Sequence, residues 1–339
     1  MKKICIGVLC PSEIAFRRFM PAVLKNENIE YVGIAHANEL EWFGSISNDN
    51  NIDILNKDLE KAKTFVDKYG GKIFNSYEDL IKSKEIDAIY IPLPPALHFK
   101  WAKLALMNGK HVFVEKPSTT SYRDTKELIE LAKNKKLAFC ENYMFVFHSQ
   151  LNYVNDLIKS GKIGEIRLLR IMFGFPFRGI NDFRYCKSLG GGALLDCGGY
   201  TIKLAALLLG DTAKLVYHHL NYIKGFDVDI YGSGVLKNNI GEVAQISFGM
   251  DNSYKCELDV VGSKGEVITN RIMTAPDGYN PILIIKTGDD EKKVVLDSDD
   301  SFKKSICFFC ECIRDYNVNL KNFGNILKQA KIVDQFKKE

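Results

Sequence analysis

Two patterns along the chain predict an α/β protein with two domains. Up to about residue 140, short apolar runs alternate with helical periodicity, which is typical of βαβ units on a parallel sheet. Beyond that point, extended segments follow one another across turns rich in Gly, Asn and Asp, which indicates a large, mainly antiparallel sheet. A length of 339 residues also suits two domains. We expect one domain at residues 1–141 and a second, α+β domain at residues 142–339.

The elements of the first domain follow from hydrophobic periodicity. Apolar runs predict strands at residues 4–9, 31–35, 86–92, 111–117 and 137–141. Helical spacing predicts helices at residues 14–25, 59–69, 97–108 and 121–135. The Asn, Asp and Ser content of residues 36–58 predicts a long loop. This loop follows the second strand, where the adenosine ribose of a dinucleotide would sit.

The second domain is predicted to contain mostly strands. A helix is expected at residues 146–160, and two helices at 302–315 and 323–337 close the chain. Between them, extended segments are predicted at residues 165–173, 214–221, 227–236, 242–248, 254–261, 266–269, 282–286 and 293–296. Short turns and little intervening helix favour antiparallel pairing.

Composition excludes several classes of protein. Hydrophobic residues make up 46% and charged residues 26%, which is typical of a globular domain and not of a disordered chain. A net charge of +4 gives no reason to expect nucleic acid as a partner, but it suits an anionic small molecule. The first apolar run stops at Pro11, which favours a strand over a signal peptide, and no run reaches the ~20 apolar residues that span a bilayer. We expect a cytoplasmic protein with no membrane partner.

The nine cysteines are dispersed, which favours reduced thiols over disulfides. Cys307, Cys310 and Cys312 form the one cluster, and a metal site there is an alternative to core packing. No second Cys or His pair completes four ligands, so we favour packing and expect no metal.

The turn after the first strand is a candidate dinucleotide site. Gly7, Leu9 and Ser12 stand at the three places of a G-x-G-x-x-G fingerprint, whose backbone N–H groups bind pyrophosphate. The alternative is an ordinary strand-to-helix turn in which Ser12 caps the helix. Only the first fingerprint glycine is present, so the turn alone does not decide between them.

Two further motifs carry reactive side chains. Glu115-Lys116-Pro117 follows a strand, so the lysine lies at the ligand-binding edge of a parallel sheet, although a surface lysine is the simpler interpretation. After three glycines at 190–192, Asp196 and Tyr200 share one helix face and could hold a substrate hydroxyl and move a proton. A helix cap and a core tyrosine are the alternative there.

Taken together, the motifs resemble those of a known family. IYIPLPPALH (89–98), GKHVFVEKP (109–117), ENYMFVFHSQ (141–150) and GGGALLDCGGY (190–200) are similar in order and spacing to the Gfo/Idh/MocA oxidoreductases. The resemblance implies a Rossmann domain that binds NAD(P) and a C-terminal α+β domain with a large, mainly antiparallel open sheet. It also implies a homo-oligomer, a dimer or tetramer, formed through that sheet.

Within this family, residues 14–22, residues 90–98 and the tyrosine at position 200 look most similar to reductases of nucleotide-diphosphate-linked 3-ketosugars. The resemblance then implies that Lys116 is the active-site lysine, Tyr200 the proton donor and Asp196 its acidic partner. It also implies a cis peptide bond before Pro117. The alternatives are a dehydrogenase of a free sugar, polyol or diol, and a non-catalytic dinucleotide-binding protein.

The same resemblance implies the binding residues. Cofactor contacts are expected from Gly7, Leu9, Cys10, Ser12, Glu13, Ile14, His36, Pro92, Leu93, Pro94, His98, Glu115 and Lys116. No acidic residue follows the second strand, which favours NADP(H) over NAD(H), although Ala37 replaces the arginine of many NADP-dependent members.

Substrate contacts, with a nucleotide-diphosphate sugar as the expected ligand, are assigned to Lys116, Tyr143, His148, Arg184, Asp196 and Tyr200. Arg184 could bind the diphosphate with two hydrogen bonds, and a surface salt bridge is its alternative. Packing at the domain junction is the alternative for Tyr143.

Overall fold

The computed structural model describes residues 2–44 and 52–338 and divides into two compact units. The first unit comprises Met1–Thr119, Arg123–Asn142 and Ser305–Ile326. The second comprises Thr120–Tyr122, Tyr143–Lys304 and Leu327–Glu339. The predicted fold class is confirmed, because one unit contains a parallel sheet and the other a mainly antiparallel one.

The first unit is built on a sheet that has six strands in the described residues, all of them parallel. They are β1 (Ile4–Val8), β2 (Ile29–Ala35), β3 (Lys72–Phe74), β4 (Ala88–Ile91), β5 (His111–Glu115) and β6 (Phe139–Asn142). The order β3-β2-β1-β4-β5-β6 reverses direction between β1 and β4. In doubly wound sheets a ligand binds at such a reversal, outside the carboxyl ends of the strands.

Helices connect these strands. They are α1 (Met20–Leu24), α2 (Glu39–Phe43), α3 (Ile52–Tyr69), α4 (Tyr77–Lys82), α5 (Pro95–Met107) and α6 (Tyr122–Lys135). The helix predicted at residues 14–25 is confirmed, and part of it, Ala15–Phe19, is a π-helical turn that leads into α1. The short elements β3 and α4 were not predicted, because three and six residues are too few to show a period.

The prediction of one loop over residues 36–58 is wrong at both ends. Asn38 and Glu41 form a reciprocal capping box, and this starts α2. At the other end, α3 already begins at Ile52. Residues 45–51 of the predicted loop lie outside the described residues. Propensity alone favoured a loop because Asn and Asp are poor in helix interiors, yet they are good caps.

The last two helices are α9 (Ser301–Arg314) and α10 (Tyr316–Gln335). Part of them packs in the first unit: the rings of Phe113 and Phe309 lie 5.1 Å apart, and Asn319 and Asn322 donate to the backbone oxygens of Leu137 and Phe139, at 3.0 Å in each case. The first unit therefore includes residues 305–326, which differs from a single boundary at residue 141.

The second unit begins with α7 (Ser149–Lys159) and is built on a sheet that has eight strands in the described residues. These are β7 (Ile166–Gly174), β8 (Lys214–Tyr222), β9 (Asp229–Lys237), β10 (Val243–Gly249), β11 (Lys255–Gly262), β12 (Gly265–Asn270), β13 (Ile282–Thr287) and β14 (Asp290–Val295). Their order is β14-β13-β12-β11-β7-β10-β9-β8, and only the β7–β10 pair among them is parallel. A helix, α8 (Gly199–Leu208), continues a π-helical turn at Leu194–Gly198.

Alternating side chains of this second sheet form one face of a core that includes Ile171, Phe248 and Leu258. No described helix is long and apolar enough to cross a membrane. No group of three or more metal-binding side chains comes together within residues 2–44 and 52–338. Of the cysteine cluster, Cys310 and Cys312 are buried and Cys307 is exposed.

Two glycines in the first unit test its packing. A Cβ at Gly33 would lie 2.2 Å from the carbonyl oxygen of Lys72, whereas a Cβ at the exposed Gly324, inside α10, meets nothing within 4 Å. Gly33→Ala should lower the free energy of unfolding by ~1–3 kcal/mol through overpacking. Gly324→Ala should raise it by ~0.5–1 kcal/mol through helix propensity. Urea unfolding measures both, and equal stability of the two variants would contradict the packing described.

Candidate active site

The turn after β1 lies at the carboxyl edge of the parallel sheet, beside the end of β4. Leu9 is fully buried, and its N–H donates to the carbonyl oxygen of Tyr90 at 3.0 Å. The hydroxyl of Ser12 accepts from the N–H of Ala15 at 3.2 Å, as the capping interpretation expected. A Cβ at Gly7 would lie 2.9 Å from a terminal methyl of Leu80, so a larger residue there would displace the Leu80 side chain.

Two other predicted cofactor residues of this turn, Glu13 and Ile14, are exposed, and Glu13 forms an ion pair with Arg17 at 3.2 Å. Cys10 is largely enclosed: burial, together with the charge of Asp58, raises the pKa of its thiol to about 12. The turn thus presents backbone and apolar atoms and not a reactive thiolate. The turn leads into the helical residues 13–24, and the start of a helix is where the pyrophosphate of a dinucleotide binds.

A carboxylate from α3, Asp58, lies near the end of β2 and was not among the predicted site residues. Asp58 is 4% exposed and accepts from the N–H of Ala37 at 3.1 Å. Burial raises the pKa of this carboxyl above its usual value. His36 is half-buried, with its Nδ1 atom 3.2 Å from the oxygen of Ala37. Asp58 was hidden from sequence reasoning because it reaches β2 from α3, more than twenty residues downstream.

The end of β5 is held by hydrogen bonds to Glu115. Its Oε1 atom accepts from the hydroxyl of Tyr90 at 2.6 Å and from the amide of Asn142 at 2.7 Å. Asn142 in turn accepts from the hydroxyl of Ser305 at 2.8 Å. Burial raises the pKa of Glu115. These bonds connect the ends of three neighbouring strands, β4, β5 and β6, and so fix the backbone that continues into Lys116.

Lys116 itself is half-buried, and the peptide bond between Lys116 and Pro117 is cis, as expected. His98 lies beside it and is fully buried. Its Nδ1 atom is 2.8 Å from the oxygen of Pro117, and its Nε2 atom is 2.7 Å from the oxygen of Leu93. His98 therefore ties the loop after β4 to the loop after β5, while Pro92 is buried and Pro94 half-buried in the same loop.

Burial lowers the pKa of His98 to about 4, with a smaller contribution from the charge of Lys116. Two carbonyl oxygens favour the charged ring and raise the pKa, but complete burial outweighs them. The imidazole is neutral near pH 7, so it can donate to only one of the two oxygens. This makes His98 a structural bridge and not an acid.

In the second unit, the glycine motif allows the chain to fold back closely. A Cβ at Gly191 would lie 2.4 Å from the carbonyl oxygen of Arg184, and Gly192 has φ +116°, a conformation that L side chains rarely adopt. The N–H of Gly192 donates to the oxygen of Arg184 at 2.9 Å. The segment before the glycines is thereby brought against the helix that follows them.

This fold-back pairs Arg184 with two carboxylates. Its Nε atom donates to Asp196 at 2.7 Å, and its Nη1 atom donates to Asp182 at 3.1 Å. Burial lowers the pKa of the guanidinium, but Asp196 and Asp182 outweigh burial and raise it. Arg184 thus forms an ion pair that orients Asp196. A salt bridge was the alternative to diphosphate binding in the interpretation of Arg184. Asp182 was not among the predicted site residues.

Tyr200 is surrounded by aromatic rings of its own unit. Ring centroids lie 5.2 Å away for Tyr143, 5.3 Å for Phe173 and 5.8 Å for Phe145. Tyr143 is only 2% exposed, and its hydroxyl lies so close that a Cβ at Gly199 would be 2.2 Å away. The structure places Tyr143 as a packing partner of Tyr200, which it holds at the start of α8.

His148, a predicted substrate contact, is 1% exposed at the start of α7. Its Nδ1 atom accepts from the N–H of Gln150 at 3.1 Å, and its Nε2 atom has no hydrogen-bond partner in the described part of the chain. Burial lowers the pKa of this imidazole.

Comparison with known proteins identifies the class. A family model described as "Oxidoreductase family, NAD-binding Rossmann fold" matches residues 21–143, and one for the GFO/IDH/MocA C-terminal domain matches residues 151–268. The protein is therefore an oxidoreductase with an NAD-binding Rossmann domain. It belongs to the Gfo/Idh/MocA family, as the motifs indicated.

Individual relatives are similar over almost the whole chain. The dTDP-3,4-didehydro-2,6-dideoxy-alpha-D-glucose 3-reductase of Streptomyces violaceoruber is 34% identical, over 97% of this chain and 93% of its own. KijD10, a 3-ketoreductase from Actinomadura kijaniata solved with NADP and TDP-benzene, has a TM-score of 0.87 and 33% identity, over 99% of this chain and 97% of its own. A D-xylose 1-dehydrogenase (NADP(+)) from Haloferax volcanii is 28% identical, over 77% of this chain and 80% of its own.

The low pKa of His98 predicts a stability that depends on pH. Unfolded histidine binds a proton near pH 6.5, whereas folded His98 does so only near pH 4, so the free energy of unfolding should fall as the pH drops through this range. His98 should account for up to ~3 kcal/mol of that loss. His111, whose pKa burial also lowers to about 4, should contribute separately.

Urea unfolding between pH 7 and 4.5 measures this effect. His98→Gln should flatten the slope, and the matched His111→Gln should flatten it by a comparable amount. An unchanged slope in His98→Gln would mean that the ring is not held neutral.

Proposed function

We propose that this protein reduces the C3 ketone of a nucleotide-diphosphate-linked deoxysugar, with NADP(H) as the hydride donor. The observation that carries the proposal is the helix after the glycine motif, where Asp196 is oriented by Arg184 and Tyr200 is held by aromatic rings. The relatives named dTDP-sugar 3-reductases support this substrate class. Solved variants of KijD10 replace a lysine and a tyrosine, the same two residue types that we assign here to catalysis.

The residues at the carboxyl ends of the strands fit a nicotinamide dinucleotide. We assign its binding to the carboxyl ends of β1, β2, β4 and β5, the turns that follow them and the start of α5. The assigned residues are Gly7, Leu9, Cys10, Ser12, Glu13, Ile14, His36, Pro92, Leu93, Pro94, His98, Glu115 and Lys116. Asp58, the carboxylate at the end of β2, is buried and accepts from Ala37, so it is not offered to a ribose hydroxyl. This favours NADP(H), the cofactor of the KijD10 structures, over NAD(H).

The chemistry divides between the cofactor and the protein. Reduced nicotinamide supplies a hydride to the ketone carbon when it is bound. The carbonyl oxygen gains negative charge as the new C–H bond forms, and Tyr200 donates its phenolic proton to that oxygen. The hydroxyl product is thereby completed, and the phenolate recovers a proton from water.

Two charged residues assist in this scheme. A free phenol has a pKa near 10, too high for an efficient acid-base group at neutral pH, and an ammonium lowers it by stabilising the phenolate. We assign that role to Lys116. We assign to Asp196 the orientation of the substrate, because its ion pair with Arg184 fixes its carboxylate. We retain Tyr143, His148 and Arg184 as proposed substrate contacts, although Tyr143 and His148 are buried and Arg184 is held by two carboxylates.

A dehydrogenase of a free sugar, polyol or diol is the second candidate. The similarity to the xylose dehydrogenase favours it, because that enzyme acts on an unphosphorylated sugar. The catalytic assignments would be the same, with the hydride moving in the opposite direction.

We further propose a homo-oligomer, formed through the face of the second sheet opposite its core. That face leaves large side chains exposed on β8 and β9, including Tyr217 and Tyr231. An apolar surface of this kind is typical of protein–protein contacts.

Substitution of the two assigned residues tests the mechanism. With a 3-keto deoxysugar linked to dTDP, Tyr200→Phe should lower kcat for NADPH consumption by ~10²–10⁴-fold, because the proton donor is lost. Lys116→Ala should lower it by ~10²-fold, because a charge stabiliser is lost. Tyr254→Phe and Lys100→Ala, at exposed positions, are the controls and should keep wild-type turnover. If both active-site variants kept it too, the assigned roles would be wrong.

Ligand-induced stabilisation separates the two candidate functions before any unstable ketosugar is made. At a hundredfold excess over Kd, a ligand adds ~2.7 kcal/mol of stability and should raise Tm by several degrees. We expect such a shift with NADPH, a smaller one with NADH, and a further shift with dTDP added to NADPH. A shift with free sugars and none with dTDP or UDP would favour the sugar dehydrogenase.

A further inference from the structure

A buried carboxylate stands at the start of the helix that carries Asp196 and Tyr200. Asp229, the first residue of β9, is 8% exposed. Its Oδ2 atom accepts from the N–H of Leu194 at 2.6 Å. Leu194 opens the π-helical turn Leu194–Gly198, which continues into α8. The N–H groups of a first turn have no partners within the helix, so Asp229 satisfies one of them from another element.

The glycine motif is shaped around this carboxylate. A Cβ at Gly192 would lie 2.4 Å from the Oδ1 atom of Asp229. The carbonyl oxygen of Gly192 accepts from the N–H of Asp196 at 3.1 Å. The Asp229 carboxylate therefore bonds Leu194 and lies against Gly192, and the carbonyl oxygen of Gly192 accepts from the N–H of Asp196. The Oδ2 atom of Asp229 thus holds Leu194, midway between Gly192 and Asp196, while the Oδ1 atom occupies the space that a side chain at position 192 would need.

Two other elements face Asp229 with titratable groups. Lys337, which follows α10, lowers the pKa of Asp229 through its positive charge. On β8, burial raises the pKa of Tyr222, and the charge of Asp229 raises it further by a smaller amount. Burial raises the pKa of Asp229 from 3.8 to about 6, against the hydrogen bond from Leu194, which lowers it. The carboxyl is thus ionised at neutral pH and protonated just below pH 6.

An ionised carboxylate in this place lowers the stability of the fold. Because the folded pKa lies above the usual 3.8, the stabilising contribution of this group is complete below pH 3.8 and is lost as the pH rises through about 6. Ionised Asp229 lowers the free energy of unfolding, so a functional role explains a carboxylate at this position better than a stabilising role does.

We propose that the Asp229 carboxylate is a positioning residue for catalysis: it anchors the first turn of the helix that presents Asp196 and Tyr200. The proposal rests on the role assigned to Tyr200 above. Protonation replaces a charge-assisted hydrogen bond with a neutral one of about half the strength, so the first turn loosens. In consequence kcat falls as the pH drops through about 6, whereas the KM for the cofactor, which binds to the other unit, does not change.

Asp229→Asn tests this proposal because asparagine keeps the shape and an acceptor oxygen but never carries charge. Its kcat should be lower than that of the wild type at pH 8 by about tenfold, and the acid limb near pH 6 should be absent. Its Tm at pH 7 should equal or exceed that of the wild type, because the buried charge is gone. Asp227→Asn, an exposed carboxylate two residues earlier, is the matched control and should keep the wild-type profile.

Hydrogen exchange supplies a readout that does not depend on turnover. In Asp229→Asn, and more so in Asp229→Ala, backbone amides of residues 193–200 should exchange faster than in the wild type at pH 7. An acid limb retained in Asp229→Asn, or unchanged exchange at these amides, would overturn the proposal. If the wild type has no ketosugar activity, the proposed function fails, and exchange alone then supports or overturns the anchoring role of Asp229.

Discussion

A buried ionisable group needs a hydrogen-bonded partner, and this requirement organises the ends of the elements in both units. In the first unit, Glu115 takes hydrogen bonds from Tyr90 and Asn142, so one carboxylate holds the ends of three strands. In the second, Asp229 accepts from Leu194 and so determines where a helix begins. Glu115 directly precedes Lys116, and Leu194, the residue that Asp229 holds, lies two residues before Asp196. The polar partners therefore set the backbone from which Lys116 and Tyr200 project.

The same requirement explains why the two glycine-containing segments differ. Near the end of β1, Gly7 packs against the Leu80 side chain, and the hydroxyl of Ser12 caps the turn that follows. At residues 190–192, glycines are needed because backbone and carboxylate atoms approach too closely for a side chain. The three glycines at 190–192 thus allow the backbone to pack closely against Arg184 and Asp229. The turn after β1, which lacks two fingerprint glycines, is closed by the hydroxyl of Ser12.

Long elements were predictable from the sequence, and short or composite ones were not. The alternation of buried strands with helices such as α5 and α6 predicted the parallel sheet, because each element spans enough residues to show its period. The strand β3 and the helix α4 are too short for this. The inclusion of residues 305–326 in the first unit also escaped prediction, because it depends on Asn319 and Asn322 reaching the backbone of β6 and the residues just before it. Contacts between distant residues leave no local pattern.

For the site, spacing along the chain was enough to predict the reactive side chains and the elements that carry them. Lys116 follows a buried strand, and Asp196 and Tyr200 share a helix, since spacing along one element is a local property. The partners of these side chains depend on the folded arrangement and could not be predicted in this way. The tertiary structure paired Arg184 with Asp182 and Asp196, packed Tyr143 against Tyr200, and brought Asp58 and Asp229 to the ends of other elements. The physical reason is that burial and hydrogen bonding join residues far apart in sequence, and no periodicity records which residues will meet.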